Sequence, residues 1–190
     1  YILDLLKQEN IKASFFVLGT RVESNPELVK REYEEGHFIG NHGYTHKYSS
    51  IYSSIDSVMN EYSKTNEAIK KAVGNDKFNS LVFRFPGGSV GGTYNDLKKE
   101  AERQLEEKGI GSVDWNALTN DAAGARTKEK ILKNFYDTIQ GKTSIVLLMH
   151  DAADKILTYE TLPEIISYLK ENGYEFKTMY DAIGRNIEIE

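Results

Sequence analysis

Short apolar runs alternate along the chain with longer segments in which apolar residues recur every three or four positions. The short runs predict buried strands, and the longer segments predict amphipathic helices bounded by residues such as Pro26 and Gly36. The predicted strands cover 12–18, 37–39, 80–83, 110–114, 143–149 and 174–178, and the predicted helices cover 1–8, 26–35, 53–73, 97–107, 127–140 and 160–171. Strands that alternate with helices predict an α/β fold built on a parallel sheet.

Side chains capable of catalysis follow the ends of successive predicted strands. His42 and His46 come after the second strand, Arg84 after the third, Asp114 at the end of the fourth and His150 after the fifth. A (β/α) barrel places its active site at the carboxyl ends of its strands. These positions therefore favour a closed barrel over an open sheet, with one active site at that edge.

The overall composition narrows the range of partners. The 190 residues include 24 Lys or Arg and 29 Asp or Glu, and the net charge of -5 provides no basic surface for nucleic acid or an anionic membrane. The longest apolar run, 144–149, is far shorter than the roughly 20 residues that span a bilayer. The chain has no cysteine, which excludes disulfides and thiolate metal ligands but leaves the compartment open. We therefore expect one domain, no nucleic acid partner and no membrane span.

The segment "GNHGYTH", residues 40–46, sets two of the four histidines four positions apart. Two imidazoles at this spacing can bind one metal ion, whereas an idle pair on the surface of a helical turn is the alternative. Gly40 and Gly43 favour a loop that folds closely around a ligand over a plain helix face. The segment therefore favours a metal site formed by His42 and His46.

The segment "RFPGGS", residues 84–89, offers backbone N–H groups at two glycines beside an arginine. Glycine backbone can approach a ligand closely, so Gly87 and Gly88 can supply an oxyanion donor next to the guanidinium of Arg84. A plain turn after a strand explains the proline and the glycines equally well. Arg84 is the residue that this alternative leaves unexplained.

The segment "LLMHD", residues 147–151, ends a buried strand in a histidine. His150 is either a hydrogen-bonded core histidine or a general acid that acts near neutral pH. Asp114 or Asp121 is able to orient His150 or to pair with Arg84, although aspartates in loops are usually caps. His37 precedes a strand at its opposite end and is predicted to be structural or exposed to solvent.

In their order along the chain, "HGYTH", "RFPGG", "DWNALTNDA" and "LMH" resemble the motifs of the polysaccharide deacetylase family, which is carbohydrate esterase family 4 or the NodB homology domain. The segment "KASFFVLG" resembles the stretch between the first two motifs of that family, and the resemblance covers essentially all of the chain. It implies a distorted, TIM-like (β/α) barrel of about seven or eight strands. It also implies metal-dependent removal of acetyl groups from N-acetylated or O-acetylated sugars.

The resemblance assigns roles to individual residues. His42 and His46 are implied ligands of a divalent metal, expected to be zinc, with cobalt, nickel or manganese as alternatives. His150 is the implied general acid, Arg84 holds the catalytic carboxylate, and Asp121 pairs with the histidine or with the arginine network.

Three further residues are implied contacts of the substrate. Leu148 lines the pocket for the acetyl methyl group, Trp115 contacts the sugar, and the backbone N–H of Gly87 helps to stabilise the oxyanion. Gly87 replaces an aromatic residue that usually follows the proline of the third motif, and Ala122 replaces a tryptophan of the fourth. Both replacements predict a wider pocket, which affects the choice of substrate more than the reaction.

The family takes its third metal ligand and its general base from an Asp-Asp pair on its first strand, which does not precede Tyr1 here. We therefore expect 1–190 to be a deacetylase domain that lacks its first strand, with the acidic pair upstream in the full protein. The alternative is that Asp114 or Asp151 completes the metal site.

The expected protein is a monomeric enzyme, secreted or attached to the cell envelope of a Gram-positive bacterium. Its expected partner is an acetylated polysaccharide, of the peptidoglycan, chitin-like or xylan-like type. A catalytically inert carbohydrate-binding barrel is the alternative. An iron oxygenase with two histidine ligands is a third possibility, and it needs a carboxylate in the same cluster.

Overall fold

The computed structural model describes residues 1–184. The strands, in chain order, are β1 (Ser14–Val17), β2 (Phe38–Asn41), β3 (Val82–Phe83), β4 (Gly111–Ser112), β5 (Ala117–Leu118) and β6 (Leu147–Leu148). The helices are α1 (Ile2–Gln8), α2 (Gly19–Ser24), α3 (Pro26–Glu34), α4 (Tyr48–Ile51), α5 (Ile55–Val73), α6 (Asn95–Glu106), α7 (Lys128–Ile139), α8 (Ile156–Glu171) and α9 (Met179–Ile183). Within residues 1–184, no helix is long and apolar enough to cross a membrane.

The chain divides into two compact units. The larger unit holds Lys12–Asp114 and the described residues from Lys177 onward, and the smaller unit holds Tyr1–Ile11 and Trp115–Phe176. Strands β1 to β4 lie in the larger unit, and β5 and β6 lie in the smaller one. Every strand pairing among the described residues is parallel, and one or two helices lie between successive strands except between β4 and β5. The predicted α/β class with parallel strands is therefore confirmed.

The sheet of the larger unit has the strand order β1-β2-β3-β4, so neighbours in the sheet are also neighbours along the chain. Asn41, the last residue of β2, pairs with Val17 on one side and with Phe83 on the other, and Phe83 pairs with Ser112. These four residues end their strands, so the carboxyl ends of the strands are level with one another. Residues that directly follow β2 and β3 therefore become neighbours in space.

Helix α5 covers this sheet with its apolar face. Its start is capped by the Ser54 side chain, which accepts a hydrogen bond from the Ser57 N–H, and it ends at Gly74 with a positive φ of 69°. Val58 and Tyr62 pack in one core cluster with Phe83 of β3. Burial of this face fixes the helix against the strands that carry the candidate residues.

The smaller unit contains a parallel pair of strands connected through α7. Ala117 pairs with Leu147 and Leu118 pairs with Leu148. Phe135 of α7 and Ile165 of α8 are both buried in the core cluster that includes Ala117. This packing holds the end of β6, and with it residue 150, in a defined position.

The structure differs from the sequence-based elements at several points. The predicted strand over 174–178 is wrong, because Thr178 instead caps α9 in a capping box with Asp181, and 174–177 carry no strand pairing. Strand β5 and helices α2, α4 and α9 were not predicted, because they are two to six residues long and their apolar periodicity is too short to detect.

His37 lies at the amino end of β2 and has a structural role. It is 1% exposed, and its Nδ1 accepts a hydrogen bond of 3.0 Å from the backbone N–H of Ala13. Burial, with a further contribution from Lys12, lowers the pKa of His37 below its ordinary value. The prediction that His37 has a structural role is therefore confirmed, and the prediction that it is exposed to solvent is wrong.

Candidate functional site

The register of β2 and β3 brings His42 and Arg84 together, because each directly follows one residue of the Asn41–Phe83 pair. The Arg84 N–H donates to the Asn41 carbonyl at 2.8 Å, and Nδ1 of His42 lies 2.6 Å from the Arg84 carbonyl oxygen. A carbonyl can only accept, so Nδ1 donates, and in the neutral imidazole Nε2 is then the nitrogen that can bind a metal. Metal-binding histidines are commonly oriented by a hydrogen bond of this kind.

The loop after β2 turns sharply and returns the second histidine towards the first. Gly43 and His46 both have positive φ, of 80° and 59°. The Asn41 side chain accepts a hydrogen bond from the Gly43 N–H and donates one to the Tyr62 carbonyl, which anchors the start of the loop. The ring centroids of His42 and His46 lie 5.1 Å apart. The loop thus brings the two imidazoles close together.

Glu61 of α5 holds this loop and was missed by the sequence analysis. Its carboxylate accepts hydrogen bonds from the backbone N–H groups of Tyr44 and Thr45, from the Thr45 hydroxyl and from the Ser50 hydroxyl. Burial raises the pKa of Glu61, but the bonds from Thr45, Tyr44 and Ser50 outweigh that effect, so the pKa falls below its ordinary value. The available signal was an acidic residue on the apolar face of α5, next to Val58 and Tyr62.

The side chain of Arg84 is buried in the same unit. Its guanidinium stacks on the Phe16 ring at 3.9 Å from the ring centroid, and it donates to the carbonyl oxygens of Val113 and Asp114. Burial lowers the pKa of Arg84 to about 10, although the nearby charge of Asp114 opposes this shift. Arg84 therefore remains cationic at neutral pH.

The carboxylate of Asp114 holds the segment that follows Arg84. It accepts hydrogen bonds from both the backbone N–H and the hydroxyl of Ser89. The side chain of Asp114 thus holds the glycine segment, and its carbonyl accepts a hydrogen bond from Arg84. Asp114 is not the aspartate that pairs with His150.

The two glycines of this segment are not equivalent. Gly87 is exposed and has a φ of 79°, whereas Gly88 is buried and its N–H donates to the Phe85 carbonyl. The carbonyl of Gly88 accepts a hydrogen bond of 2.8 Å from the buried Lys98 ammonium. Of the two glycines, Gly87 is therefore the one that is exposed to solvent.

In the smaller unit, His150 is paired with Asp121. Nδ1 of His150 lies 2.9 Å from Oδ1 of Asp121, and the His150 backbone N–H and the Thr158 hydroxyl both donate to Oδ2. Burial raises the pKa of Asp121, but the hydrogen bonds from His150 and Thr158 outweigh that effect. The pKa of Asp121 is therefore below its ordinary value. Asp121 is therefore ionised at neutral pH, and of the two aspartates it is the one that orients His150.

Leu148 and Trp115 both lie in the smaller unit and are half-buried. Leu148 ends β6 beside Leu118, and its carbonyl accepts a hydrogen bond from the Thr119 N–H. Its place two residues before His150 is therefore set by the strand pairing.

The residues present fit a metal site in part. Two neutral nitrogen donors from one loop suit zinc, and the bond from His42 to the Arg84 carbonyl leaves Nε2 as the ligand nitrogen. Within residues 1–184, no three His, Cys, Asp or Glu side chains lie close enough together to hold a metal ion. Among the described residues of the larger unit, Asp114 therefore does not complete a three-residue metal site with His42 and His46, and Asp151 lies in the smaller unit.

Comparison with known proteins gives the same family as the motifs. Residues 1–109 match the family model for polysaccharide deacetylase. The chain is 34% identical over 185 residues to a peptidoglycan-N-acetylglucosamine deacetylase of Bacillus cereus, a match that covers 95% of this chain and 64% of that protein. It is also 34% identical over 192 residues to the peptidoglycan-N-acetylglucosamine deacetylase PgdA of Listeria monocytogenes, covering 99% of this chain and 36% of that protein. The chain thus spans less than two thirds of the length of these curated relatives.

A solved structure shows the same fold. A CE4 esterase from Streptococcus mutans superposes with a TM-score of 0.85 and is 32% identical, over 93% of this chain and 78% of that one. The fold expected from the motifs is therefore confirmed.

Proposed function

The chain belongs to the polysaccharide deacetylase family, and we propose that it is the catalytic part of a metal-dependent hydrolase that removes acetyl groups from the sugars of peptidoglycan. The observation that carries the proposal is the hydrogen bond from His42 to the Arg84 carbonyl, which prepares an imidazole for metal binding beside His46. Peptidoglycan is proposed as the polysaccharide because the relatives from Bacillus cereus and Listeria monocytogenes are both peptidoglycan deacetylases.

We assign the metal to His42 and His46, with zinc as the expected ion and cobalt, nickel or manganese as alternatives. When bound, the ion would activate a water molecule and polarise the acetyl carbonyl. The chain's own part is to orient the His42 imidazole through the Arg84 carbonyl and to hold the backbone of the loop that carries His46 through the carboxylate of Glu61. The backbone N–H of Gly87, a residue exposed to solvent, is assigned to stabilise the oxyanion that develops on the acetyl oxygen.

His150 is proposed as the general acid. Because the ionised Asp121 can only accept, Nδ1 of His150 carries a proton and Nε2 is the nitrogen that gains and loses one. Release of acetate from an amide needs a proton for the leaving nitrogen, which Nε2 supplies. Arg84 is proposed to hold a catalytic carboxylate, and Leu148 and Trp115 are proposed to contact the acetylated sugar. The expected place of action of the monomeric enzyme is outside the cell or in the cell envelope of a Gram-positive bacterium.

The test is acetate release from purified peptidoglycan by the full-length protein, with the variants His42→Ala and His46→Ala. Each variant is expected to lose zinc and at least about 100-fold in kcat/KM, because even changes to residues that only orient metal ligands have effects approaching that size. Lys47→Ala, a change at an exposed position in the same loop, is the matched control and is expected to retain activity. Full activity in either histidine variant would contradict the metal assignment. Glycan binding by the unaltered protein without any acetate release would favour the inert carbohydrate-binding alternative.

A further inference from the structure

A row of three tyrosine rings lies beside the histidine pair in the larger unit. The ring centroids of Tyr48 and Tyr52 are 5.6 Å apart in an edge-to-face arrangement, and those of Tyr52 and Tyr94 are 5.1 Å apart. At the other end of the row, the Tyr48 ring lies 5.9 Å from the ring of His46. Tyr48 is 43% exposed whereas Tyr52 is 2% exposed, so only the ring next to the histidine pair faces solvent to a large extent.

Tyr52 is a rigid support for Tyr48. Its hydroxyl donates to the Pro86 carbonyl at 2.7 Å, and the Lys98 ammonium lies 5.1 Å from its ring centroid. Burial raises the pKa of Tyr52, with smaller contributions from Tyr48 and Asp114, so the hydroxyl stays protonated and keeps donating. A buried, doubly fixed ring beneath Tyr48 limits the conformations that the exposed ring can adopt.

Tyr48 fills the space that a side chain at position 87 would need. A Cβ atom built on Gly87 would lie 2.3 Å from the Tyr48 hydroxyl oxygen and 3.0 Å from its Cζ. The tyrosine hydroxyl therefore lies directly against the exposed backbone of Gly87, whose N–H is proposed to stabilise the oxyanion. A purely structural tyrosine at this place would be expected to bury its ring, which Tyr48 does not do.

We propose that Tyr48 is a substrate-binding residue that contacts the glycan chain, with its ring against the C–H face of a pyranose and its hydroxyl bonded to a sugar oxygen. This inference rests on the proposed function, since it gives the site a glycan to bind. A partly exposed tyrosine offers an apolar ring and a polar tip at once, which matches the mixed surface of a sugar. Tyr48 thus forms the aromatic wall that the glycine at position 87 cannot provide.

The first test compares Tyr48→Ala and Tyr48→Phe with the unaltered protein on soluble peptidoglycan glycan strands. Tyr48→Ala is expected to raise KM and the dissociation constant for the strands by roughly three- to tenfold, as loss of one aromatic contact does. Its zinc content is expected to stay within about twofold, and its loss of kcat/KM is expected to lie mainly in KM. The KM and the dissociation constant of Tyr48→Phe are expected to lie between those of the unaltered protein and Tyr48→Ala, because this change removes only the hydroxyl. Tyr1→Ala, at a residue that is 84% exposed, is the control and is expected to bind as the unaltered protein does.

The outcomes distinguish the role of Tyr48 in glycan binding from the proposed deacetylase activity. Unchanged KM and unchanged dissociation constant in Tyr48→Ala would overturn the role of Tyr48 while leaving the deacetylase proposal intact. If the unaltered protein released no acetate, the proposed function would fail, and the dissociation constants for glycan strands would still decide the role of Tyr48.

A second test examines the packing of Tyr48 on residue 87. Gly87→Ala imposes a strained positive φ in any background, but it clashes with residue 48 only where a tyrosine is present. The melting temperature is therefore expected to fall less when Gly87→Ala is introduced into Tyr48→Ala than into the unaltered protein. Equal losses in both backgrounds would show that Tyr48 does not occupy the space next to residue 87.

Discussion

Nδ1 of His42 lies 2.6 Å from the backbone carbonyl oxygen of Arg84, so a main-chain atom orients the first histidine of the pair. The bond depends on the parallel pairing of Asn41 with Phe83, which places the next residue of each strand side by side. The backbone carbonyl oxygen of residue 84 thus orients the His42 imidazole, and a side-chain substitution at position 84 does not remove that oxygen. The backbone of Arg84 therefore orients His42, whereas its guanidinium binds the carbonyl oxygens of Val113 and Asp114.

Replacing Arg84 by Met is expected to destabilise the protein without abolishing metal binding. The variant leaves the carbonyl oxygens of Val113 and Asp114 without the guanidinium, which costs about 2–4 kcal/mol of unfolding free energy. Zinc affinity is expected to fall by no more than about threefold, because the backbone carbonyl still accepts from His42. Urea unfolding and zinc titration measure the two effects, with Arg103→Met, whose side chain is 54% exposed, as the control. Loss of zinc binding in a folded Arg84→Met protein would contradict the backbone account.

Replacing Glu61 by Ala is expected to loosen the loop that carries His46. The variant leaves the N–H groups of Tyr44 and Thr45 without their acceptor, which costs about 2–4 kcal/mol in stability. Zinc affinity is expected to fall by about 10- to 100-fold, as it does when outer contacts of metal ligands are removed. Glu61→Gln keeps one acceptor oxygen and is expected to show a smaller loss of both. Glu67→Gln, an exposed change on the same helix, serves as the control. An unaltered zinc affinity in Glu61→Ala would refute the role of Glu61 in holding the loop.

The Asp121–His150 pair predicts a pH dependence of stability. The pKa of Asp121 is lowered in the folded protein, so the carboxylate contributes stability that is fully present above its unfolded pKa of about 3.9. That contribution is lost as the pH falls through the lower folded value. The stability difference between the unaltered protein and Asp121→Asn is therefore expected to shrink as the pH falls below about 4. Urea unfolding across this range measures it, with Asp137→Asn on the exposed face of α7 as the control.

The same substitution is expected to reduce activity more than stability. An asparagine at position 121 can no longer act as an obligate acceptor, so Nδ1 and Nε2 of His150 can exchange roles. We expect kcat on peptidoglycan to fall by on the order of 100-fold or more, with zinc content unchanged. Loss of zinc in Asp121→Asn would instead place His150 and Asp121 in the metal site.

The Asp114–Ser89 contact is expected to control the glycine segment. Asp114→Ala removes the acceptor of both the Ser89 N–H and the Ser89 hydroxyl, whereas Ser89→Ala removes only the hydroxyl bond, and each change has an expected cost of about 1–3 kcal/mol. Because both changes break the bond from the Ser89 hydroxyl to Asp114, their effects on stability and on kcat are expected to be non-additive, with a coupling of about 0.5–3 kcal/mol. A double-mutant cycle measures this, and simple additivity would show that the two residues act independently.

Local patterns in the sequence were sufficient for most helices and for the placement of the histidine pair. Pro26 and Gly74 mark a helix start and a helix end where the structure has them, because these residues act on the backbone of their own turn. The apolar run before His42 predicted a strand and Gly43 predicted a loop, since both features need only neighbouring residues, whereas Gly40, also assigned to the loop, lies within β2. The family could also be identified from the motifs, because each motif is a short run of adjacent residues.

Only the tertiary structure decided which partners these residues have. The carbonyl of Arg84 reaches His42 across 42 positions of the chain, Glu61 reaches the histidine loop from the next long helix, and Asp121 rather than Asp114 pairs with His150. The segment 174–178 has a strand-like composition, yet the capping of α9 by Thr178 determines its conformation. The physical reason is that hydrogen-bond partners and strand register depend on contacts between residues distant in sequence, whereas periodicity and turn residues report only on the local backbone.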